Sequence, residues 1–167
     1  MKKILSISLV LIMIMSLFSG CNIAEKIAGN KEISHEGLTM EIPTLFMDLS
    51  SIVDNDSITF IYGLDDSAVV GIRESREELA EYYDDLQTAQ DYAEVFIAAN
   101  ELDATVSEKD GLPTFTYEAT VDGEAYTYLC AAFSNEEDFW VVQTYSFSKS
   151  FSDNEADFWK MLKTVEV

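Results

Sequence analysis

Three long strand-like runs in the second half of the chain constrain its fold more than any other feature. Residues 113–121, 124–133 and 138–147 are each suited to a strand of roughly ten residues, and the first alternates apolar and polar side chains cleanly. Asp122-Gly123 separates the first two runs, and this dipeptide favours a two-residue hairpin turn. A second turn follows at 135–137. We therefore predict a long antiparallel meander, which needs at least one face covered by other elements.

Shorter alternating segments predict further strands on both sides of the meander. Pro43 ends the first of these strands, 38–42. An acidic turn at Asp65-Asp66 joins the strands 57–64 and 68–73 into a hairpin. The predicted additional strands are 38–42, 57–64, 68–73, 104–108 and 164–167.

Three Ser/Thr-x-x-Asp/Glu motifs predict helix starts, because such a pair can satisfy backbone N–H groups of the first turn reciprocally. They begin at Ser75, Thr88 and Ser152. Apolar residues at helical spacing follow each one. We predict an acidic helix at 75–86 and a second helix after a bend near 87–88, with one long helix as the alternative. The third motif predicts a closing helix, and the helices together would cover the sheet.

The N-terminal segment has the pattern of a secretory signal. Two lysines precede the apolar run 4–18, and a Ser-Gly pair leads to Cys21. Residues 17–21 resemble the lipobox of bacterial lipoproteins, in which the cysteine is lipidated and becomes the new N-terminus. Phe18 departs from this pattern, since leucine usually occupies the position three before the cysteine.

Two other interpretations of this segment stay open, namely a transmembrane helix and an ordinary signal with an incidental Cys21. A bilayer span takes about 20 apolar residues, and the run 4–18 is shorter. Two or more acyl chains would anchor the protein stably. We expect a signal peptide at 1–20, a lipidated cysteine and tether at 21–36, and one globular domain at 37–167. This domain would lie on the extracytoplasmic face of a bacterial cell membrane.

The acidity of the chain restricts its partners. The sequence has 31 acidic residues against 10 Lys and Arg, which gives a net charge of −21. Nucleic-acid binding depends on Lys and Arg meeting phosphate, and an anionic membrane surface would repel this chain. We expect no nucleic-acid partner, membrane attachment through the lipid at Cys21 alone, and an envelope protein as the candidate partner.

Cys130 and His35 are the candidates for a Cys–His nucleophilic pair. Cys130 lies in a predicted strand, where a single cysteine usually behaves as a small buried hydrophobe. His35 precedes the predicted domain, although distance in sequence does not exclude contact. We therefore predict no catalytic residue and no cofactor.

Acidic clusters suggest two further hypotheses, a metal site and a carboxylate-dependent hydrolase. Calcium requires six to eight oxygen ligands, and residues 54–58 lack the third ligand and the glycine of an EF-hand loop. We predict solvated turns and caps with no metal ligand, and weak calcium binding remains an alternative. A glycosidase would need two carboxylates at a defined separation across a cleft. The acidic clusters are Asp54 with Asp56, Asp65-Asp66, Asp84-Asp85 and Glu136-Glu137-Asp138.

Aromatic residues are the remaining candidates for a binding surface. The hydroxyl of Tyr and the indole N–H of Trp favour edges and interfaces, although ordinary core packing is the alternative. The speculative binding residues are Tyr82, Tyr83 and Trp140. Because adjacent strand residues alternate, Phe139 and Trp140 must point to opposite faces of the sheet.

Arg73 and Arg76 stand alone as basic residues between positions 31 and 109. We expect them to neutralise nearby acidic residues, with an anion-binding role as the alternative. The expected partners are Glu77, Glu78 and Asp84.

Five features of the sequence come in a recognisable order. They are a strand ending in Ile42-Pro43, a helix with Asp91-Tyr92-Ala93, the turn Asp110-Gly111, the pair Phe139-Trp140 and the closing segment 162–167. This order resembles the PsbP/Mog1/DcrB-like superfamily over residues 37–167. The resemblance implies an α+β fold, an α/β/α sandwich around an antiparallel sheet. It also implies a binding or assembly role, because the better-known members are non-enzymatic accessory proteins. It carries no catalytic residue across, and the acidic helix at 75–86 departs from the family pattern.

The sequence therefore predicts a lipid-anchored extracytoplasmic protein that acts as a non-catalytic binding or scaffold module in the cell envelope. One alternative is a ligand-binding accessory subunit of an envelope transporter. Another is an envelope hydrolase that uses paired carboxylates.

Overall fold

The computed structural model describes residues 29–53 and 55–167. The predicted signal, Cys21 and Asp54 lie outside the described residues. The strands are β1 (Asn30–His35), β2 (Leu38–Pro43), β3 (Met47–Asp48), β4 (Phe60–Leu64), β5 (Ser67–Ser75), β6 (Ser107–Lys109), β7 (Leu112–Val121), β8 (Glu124–Ser134) and β9 (Asp138–Phe147). The helices are α1 (Arg76–Ala80), α2 (Ala89–Ala99) and α3 (Ser148–Leu162).

Seven strands form one antiparallel sheet in the order β3-β4-β5-β9-β8-β7-β6. The predicted meander is confirmed as β7, β8 and β9, with continuous register from Thr114 opposite Ala131 to Val121 opposite Glu124 across the first hairpin. The two residues of that turn, Asp122 and Gly123, have φ of 52° and 87°. A two-residue type I′ turn requires positive φ at both positions, so the local sequence sets this register.

Each face of the sheet holds a buried apolar cluster, and the two clusters are separate. One face, here called the α2 face, carries Phe139 and Val141 beneath α1 and α2. The other, the α3 face, carries Trp140 and Val142 beneath α3. The predicted opposite orientation of Phe139 and Trp140 is therefore confirmed. β1 and β2 form a separate hairpin that joins α3 on its face, so the layers form the predicted sandwich.

The start of α2 confirms the capping box predicted at Thr88. The Thr88 hydroxyl accepts a hydrogen bond from the backbone N of Asp91 at 3.1 Å, and the Asp91 carboxylate accepts one from the backbone N of Thr88 at 2.8 Å. Tyr92, Ala93 and Phe96 form the buried stripe of this helix. The Thr88 hydroxyl also donates to the Asp91 carboxylate at 2.7 Å, and this bond together with the one from the Thr88 backbone N holds the pKa of Asp91 below its usual range.

The other two predicted capping boxes are wrong. Ser75 precedes α1 but makes no side-chain cap hydrogen bond, and α1 ends at Ala80. The predicted helix at 75–86 is therefore a single short turn, and α2 is a separate helix. Ser152 lies inside α3, whose N-cap position is Phe147. The helix begins earlier because the chain passes from β9 into α3 without an intervening loop.

The predicted tether at 21–36 is also too long. Residues 30–35 form β1, which pairs with β2 and packs on the sheet through Ile33 and His35. The folded part thus includes residues before position 37. A polar composition hides this strand, because only Ile33 is buried in it.

Smaller differences concern the ends of strands. The predicted strand at 57–64 begins at Phe60, and the one at 104–108 begins at Ser107. The predicted terminal strand at 164–167 is reduced to a single bridge between Thr39 and Glu166. This bridge ties the C-terminal segment to β2.

Gly71 tests the packing of the α3 face. Gly71 lies opposite Phe60 in the β4–β5 ladder, and a Cβ at Gly71 would overlap the Phe60 ring. We predict that Gly71→Ala lowers the free energy of unfolding by about 1–3 kcal/mol, because overpacking forces the ring away. In a Phe60→Ala background the same change should be nearly neutral. Equal losses in both backgrounds, measured by urea denaturation, would contradict this packing.

Thr88 and Ser75 form a matched pair for testing the helix caps. Thr88→Ala should lower the free energy of unfolding by about 1 kcal/mol, because it removes a cap hydrogen bond. Ser75→Ala should change it by less than about 0.5 kcal/mol, since Ser75 makes no such bond. Urea denaturation of both variants measures the difference, and a larger loss for Ser75→Ala would overturn the assignment.

Candidate partner-binding surface

The structure separates the three aromatic residues predicted to bind. Trp140 is fully buried on the α3 face, so its predicted binding role is wrong for the folded protein. Tyr82 is 49% exposed just after α1, and Tyr83 is half-buried against the α2-face cluster. Trp140 and the two tyrosines therefore lie on opposite sides of the sheet and form no common surface.

Most other tyrosines pack in the core, as the alternative interpretation held. Tyr117, Tyr128 and Tyr145 lie side by side on the α2 face, with ring centroids 4.5 Å and 4.7 Å apart. Burial raises the pKa of all three hydroxyls. The Tyr117 hydroxyl donates to the Oε1 of Gln143 at 3.1 Å. This row fills the sheet face and is closed to a macromolecular partner.

A partly buried hydrogen bond joins α2 to the sheet. The Tyr92 hydroxyl donates to the Oε2 of Glu74 at 2.5 Å. Burial raises the pKa of Glu74, and the bond from Tyr92 opposes that rise in part. Burial and the adjacent Glu74 carboxylate raise the pKa of Tyr92. The contact therefore fixes a helix on the sheet and leaves the tyrosine proton in place.

The two arginines have other partners than those predicted. Arg73 Nε contacts the buried Asp138 at 2.9 Å, and Glu36 lies 3.6 Å from its Nη1. Arg76 stacks over the Phe139 ring at 4.0 Å and donates to the backbone oxygens of Asn135 and Gln87. The predicted pairing with the acidic residues of 77–84 is wrong, because both side chains turn towards the start of β9. They join β5, α1 and the 135–138 turn.

Cys130 and His35 lie on opposite faces of the sheet. Cys130 is fully buried on the α2 face, where burial raises the pKa of its thiol. The His35 ring stacks on Phe60 on the other side, and its Nε2 lies 3.0 Å from the Tyr62 hydroxyl. The two side chains do not form a nucleophile–base pair.

Side-chain hydrogen bonds hold two of the acidic turns that the structure describes. Asp66 accepts from the Ser150 hydroxyl at 2.6 Å, and this bond ties the β4–β5 turn to α3. The Asn135 side chain accepts from the backbone N of both Glu137 and Asp138. Over residues 29–53 and 55–167, no three His, Cys, Asp or Glu side chains gather as metal ligands would.

The outer edge of β7 is the longest open strand edge in the described part of the chain. β6 pairs with β7 only from Leu112 to Thr114. From Phe115 to Val121, β7 pairs with β8 on one side and with no described strand on the other. The opposite edge of the sheet differs, because β3 pairs with β4 and the backbone N of Leu49 donates to Ile61.

Turn geometry decides which backbone groups of β7 face this open edge. In a two-residue hairpin the closing pair, Val121 and Glu124, exchanges both hydrogen bonds, and bonded and non-bonded pairs then alternate along the ladder. The N–H and C=O groups of Thr116, Glu118 and Thr120 therefore point away from β8. Their side chains are exposed on the α3 face, since α3 packs on β8 and β9.

This surface, here called the β7 edge, comprises Thr116, Glu118 and Thr120. Glu118 accepts a hydrogen bond from the Thr127 hydroxyl of β8 at 3.3 Å. The sequence from 112 to 134 contains acidic residues but no Lys or Arg. The edge is thus polar and acidic, and it carries none of the lysines that often protect edges.

Sequence reasoning identified the alternating polar face of β7 but not its position at an edge. Strand order is set by the pairing of β9 with β5, which lie far apart in sequence. That pairing leaves β7 on the outside. The sequence did signal an open edge, because the strand predicted before β7 is short. In the structure that strand is β6, whose three residues cannot cover the ten residues of β7.

Among the described residues, no helix is both long and apolar enough to cross a membrane.

The Glu74–Tyr92 contact predicts a pH-dependent stability difference. Tyr92→Phe should lower the free energy of unfolding by about 1.5–3 kcal/mol at pH 7, because the half-buried Glu74 carboxylate loses its donor. Folding raises the pKa of Glu74. This carboxyl therefore lowers the free energy of unfolding as the pH rises from the pKa of Glu74 in the unfolded chain through its pKa in the folded chain. The loss caused by Tyr92→Phe should therefore shrink at pH 4, where Glu74 holds a proton.

A Glu74→Gln background provides the control for this prediction. There the effect of Tyr92→Phe should not change between pH 4 and pH 8, because no carboxyl remains to titrate at that site. Urea denaturation across this range measures all four chains. The same pH dependence in both backgrounds would assign it to another group.

Comparisons with known proteins concern the fold. No protein-family model matches the chain, and no curated protein matches its sequence. The solution structure of cyanobacterial PsbP (CyanoP) from Synechocystis sp. PCC 6803 superimposes with a TM-score of 0.56 and 14% identity, covering 90% of this chain and 98% of that protein. A crystal structure from Bacteroides thetaiotaomicron VPI-5482 gives a TM-score of 0.54 and 14% identity over 84% of this chain.

This chain spans about half of the Bacteroides protein, 49% of its length. A point mutant of Mog1 gives a TM-score of 0.49 at 12% identity, covering 83% of this chain and 96% of Mog1. The likeness to PsbP, together with an antiparallel sheet packed between helices, shows that the chain has a PsbP-like α+β fold, as its sequence predicts.

Proposed function

We propose that this protein is a membrane-anchored extracytoplasmic lipoprotein that acts as a non-catalytic binding or scaffold module in the cell envelope. The observation that carries the binding role is the β7 edge. The central strands of the sheet are covered on both faces, and the described residues have their longest row of free backbone hydrogen-bonding groups at this edge. Exposed strand edges are surfaces that other chains use.

The anchor rests on the sequence around Cys21. Thioether lipidation there would hold the folded part close to the membrane, because Cys21 precedes Asn30, the first residue of β1, by nine positions. A chain of that length spans at most roughly 30 Å. The acidic body would be repelled by anionic lipid headgroups, so the lipid rather than the protein surface would make the membrane contact.

The position of β1 supports a free β7 edge in the anchored protein. The β1–β2 hairpin packs on the β4 side of the sheet, where Lys31 lies over the Tyr62 ring at 5.6 Å. β7 lies four strand spacings from β4, about 19 Å at ~4.8 Å per spacing. The chain therefore enters the fold at one side of the sheet, and the candidate binding surface lies at the other.

The buried titratable groups support a binding role over a catalytic one. Perturbed pKa values often mark catalytic residues. Here the half-buried Glu74 and the buried Tyr92 bond to each other, and the thiol of Cys130 lies inside the core. Each of these groups has a structural partner or a packing role that accounts for its environment.

Two cysteine variants test the anchor. Cys21→Ser should move the protein from the membrane fraction to the soluble fraction, because the proposed acyl chains can no longer attach. Cys130→Ala is the matched control, and it should leave the protein in the membrane fraction because Cys130 is buried in the core. Fractionation of cells and mass spectrometry of the mature N-terminus are the measurements. An unmodified thiol on Cys21, or full membrane recovery of Cys21→Ser, would overturn the anchor.

Crosslinking in intact cells tests the binding role. The anchored protein should yield one reproducible envelope protein, and the same protein should be lost when the chain is unfolded by a core substitution such as Val142→Asp. Recovery of no partner, together with turnover on a panel of glycans and esters, would replace the binding role with a hydrolase.

A further inference from the structure

We propose that the β7 edge binds an extended, basic segment of another protein, which adds to the sheet as an eighth strand. This inference rests on the proposed binding role and names the chemistry of the partner. The partner segment would carry Lys or Arg at alternate positions and would lie along Thr116, Glu118 and Thr120.

The first argument is the supply of backbone hydrogen-bonding groups. Three outward-facing residues offer three N–H and three C=O groups in a row, at positions 116, 118 and 120. The β7–β8 register continues without interruption from Thr114 to Val121, so no bulge twists the edge away. Main-chain hydrogen bonds of this kind supply affinity when an extended peptide adds to a sheet.

The second argument is that the usual protection of an edge is missing from this side. The opposite edge ends in β3, a strand of only two residues, and the 47–49 segment pairs with β4. Very short edge strands, prolines and lysines are common means of blocking unwanted pairing. Residues 115–121 contain no proline and no lysine, and the threonines there favour extended backbone.

The third argument is charge, which selects the partner. Glu118 lies at the centre of the edge, and the exposed Asp122 follows at the adjacent turn. A side chain directly opposite or diagonal to Glu118 on an added strand lies within reach of its carboxylate. Lys or Arg there would be attracted, and Asp or Glu would be repelled.

Charge also argues against a second copy of this chain as the occupant. Antiparallel pairing of two β7 edges centred on Glu118 would place the two Glu118 side chains opposite each other. Like charges directly opposite on neighbouring strands are destabilising. Each copy also carries a net charge of −21, which opposes association in general.

A synthetic peptide and two pairs of variants test this proposal on the full chain in detergent. The probe is a seven-residue peptide that alternates lysine and threonine, and its control replaces each lysine by glutamate. Thr120→Pro removes one outward N–H while leaving the bonds to β8, and Thr120→Val is its matched control. Glu118→Lys reverses the central charge, and Glu118→Gln neutralises it.

We expect the lysine peptide to bind the native chain more tightly than the glutamate peptide, with an affinity that falls as salt is added. Thr120→Pro should weaken binding by about tenfold or more, because the proline ring also blocks the approaching strand. Thr120→Val should bind within about twofold of the native chain. Glu118→Lys should weaken binding more than Glu118→Gln. Fluorescence anisotropy of a labelled peptide measures the affinities, and circular dichroism verifies the fold of each variant.

Three results would overturn the proposal. They are equal affinity for Thr120→Pro and Thr120→Val, no binding of the lysine peptide at about 1 mM, and a dimer of this chain that Thr120→Pro dissociates. A photo-crosslinker at Thr116, compared with one at Glu94 on α2, separates this proposal from the binding role itself. Capture of an envelope protein only from Glu94 would end the edge proposal and keep the binding role. Capture from neither position, with no partner in the intact-cell experiment, would end both.

Discussion

The burial of β9 on both faces is the constraint on which the rest of the structure depends. Nine of its ten residues are buried, and the apolar ones, from Phe139 to Val142 and Tyr145, are divided between the two apolar clusters. A strand of this kind is stable only if both sheet faces are covered. α2 covers one face, and α3 with the β1–β2 hairpin covers the other. The polar contacts of Glu74, Tyr92 and Arg76 then hold the first of these layers in place.

Covering both faces moves the available binding groups to the edges of the sheet. On one edge of the sheet, β3 and Leu49, the residue after it, pair with the backbone of β4. On the other, β6 stops after three residues and leaves most of β7 without a neighbour among the described strands. The surface that we propose for a partner is thus a consequence of the core. The core uses Trp140, one of the three aromatic residues that the sequence suggests for binding, and the outer backbone groups of β7 from Phe115 to Val121 pair with no described strand.

The sequence correctly predicted the features that depend only on nearby residues, namely a turn and a helix cap. Asp122-Gly123 has the positive φ values of a type I′ turn, and Thr88 caps its helix, because each depends on neighbours within a few residues. Ser75 and Ser152 carry similar motifs, but tertiary packing sets where α1 and α3 begin.

Long-range arrangements were predicted less well. Trp140 is buried because α3 returns across the sheet, and Arg73 pairs with Asp138 because β5 and β9 are neighbours. The periodicity of apolar residues along the sequence does not indicate which distant residues pair. The open edge of β7 was missed for the same reason, since it follows from strand order.

Hydrogen exchange of six backbone amides in the free protein tests the central claim most directly. The amides of Thr116, Glu118 and Thr120 should exchange on the order of 100-fold faster than those of Phe115, Tyr117 and Ala119, because only the second set bonds to β8. Equal, slow exchange of all six would mean that the β7 edge is already paired, and it would contradict the account.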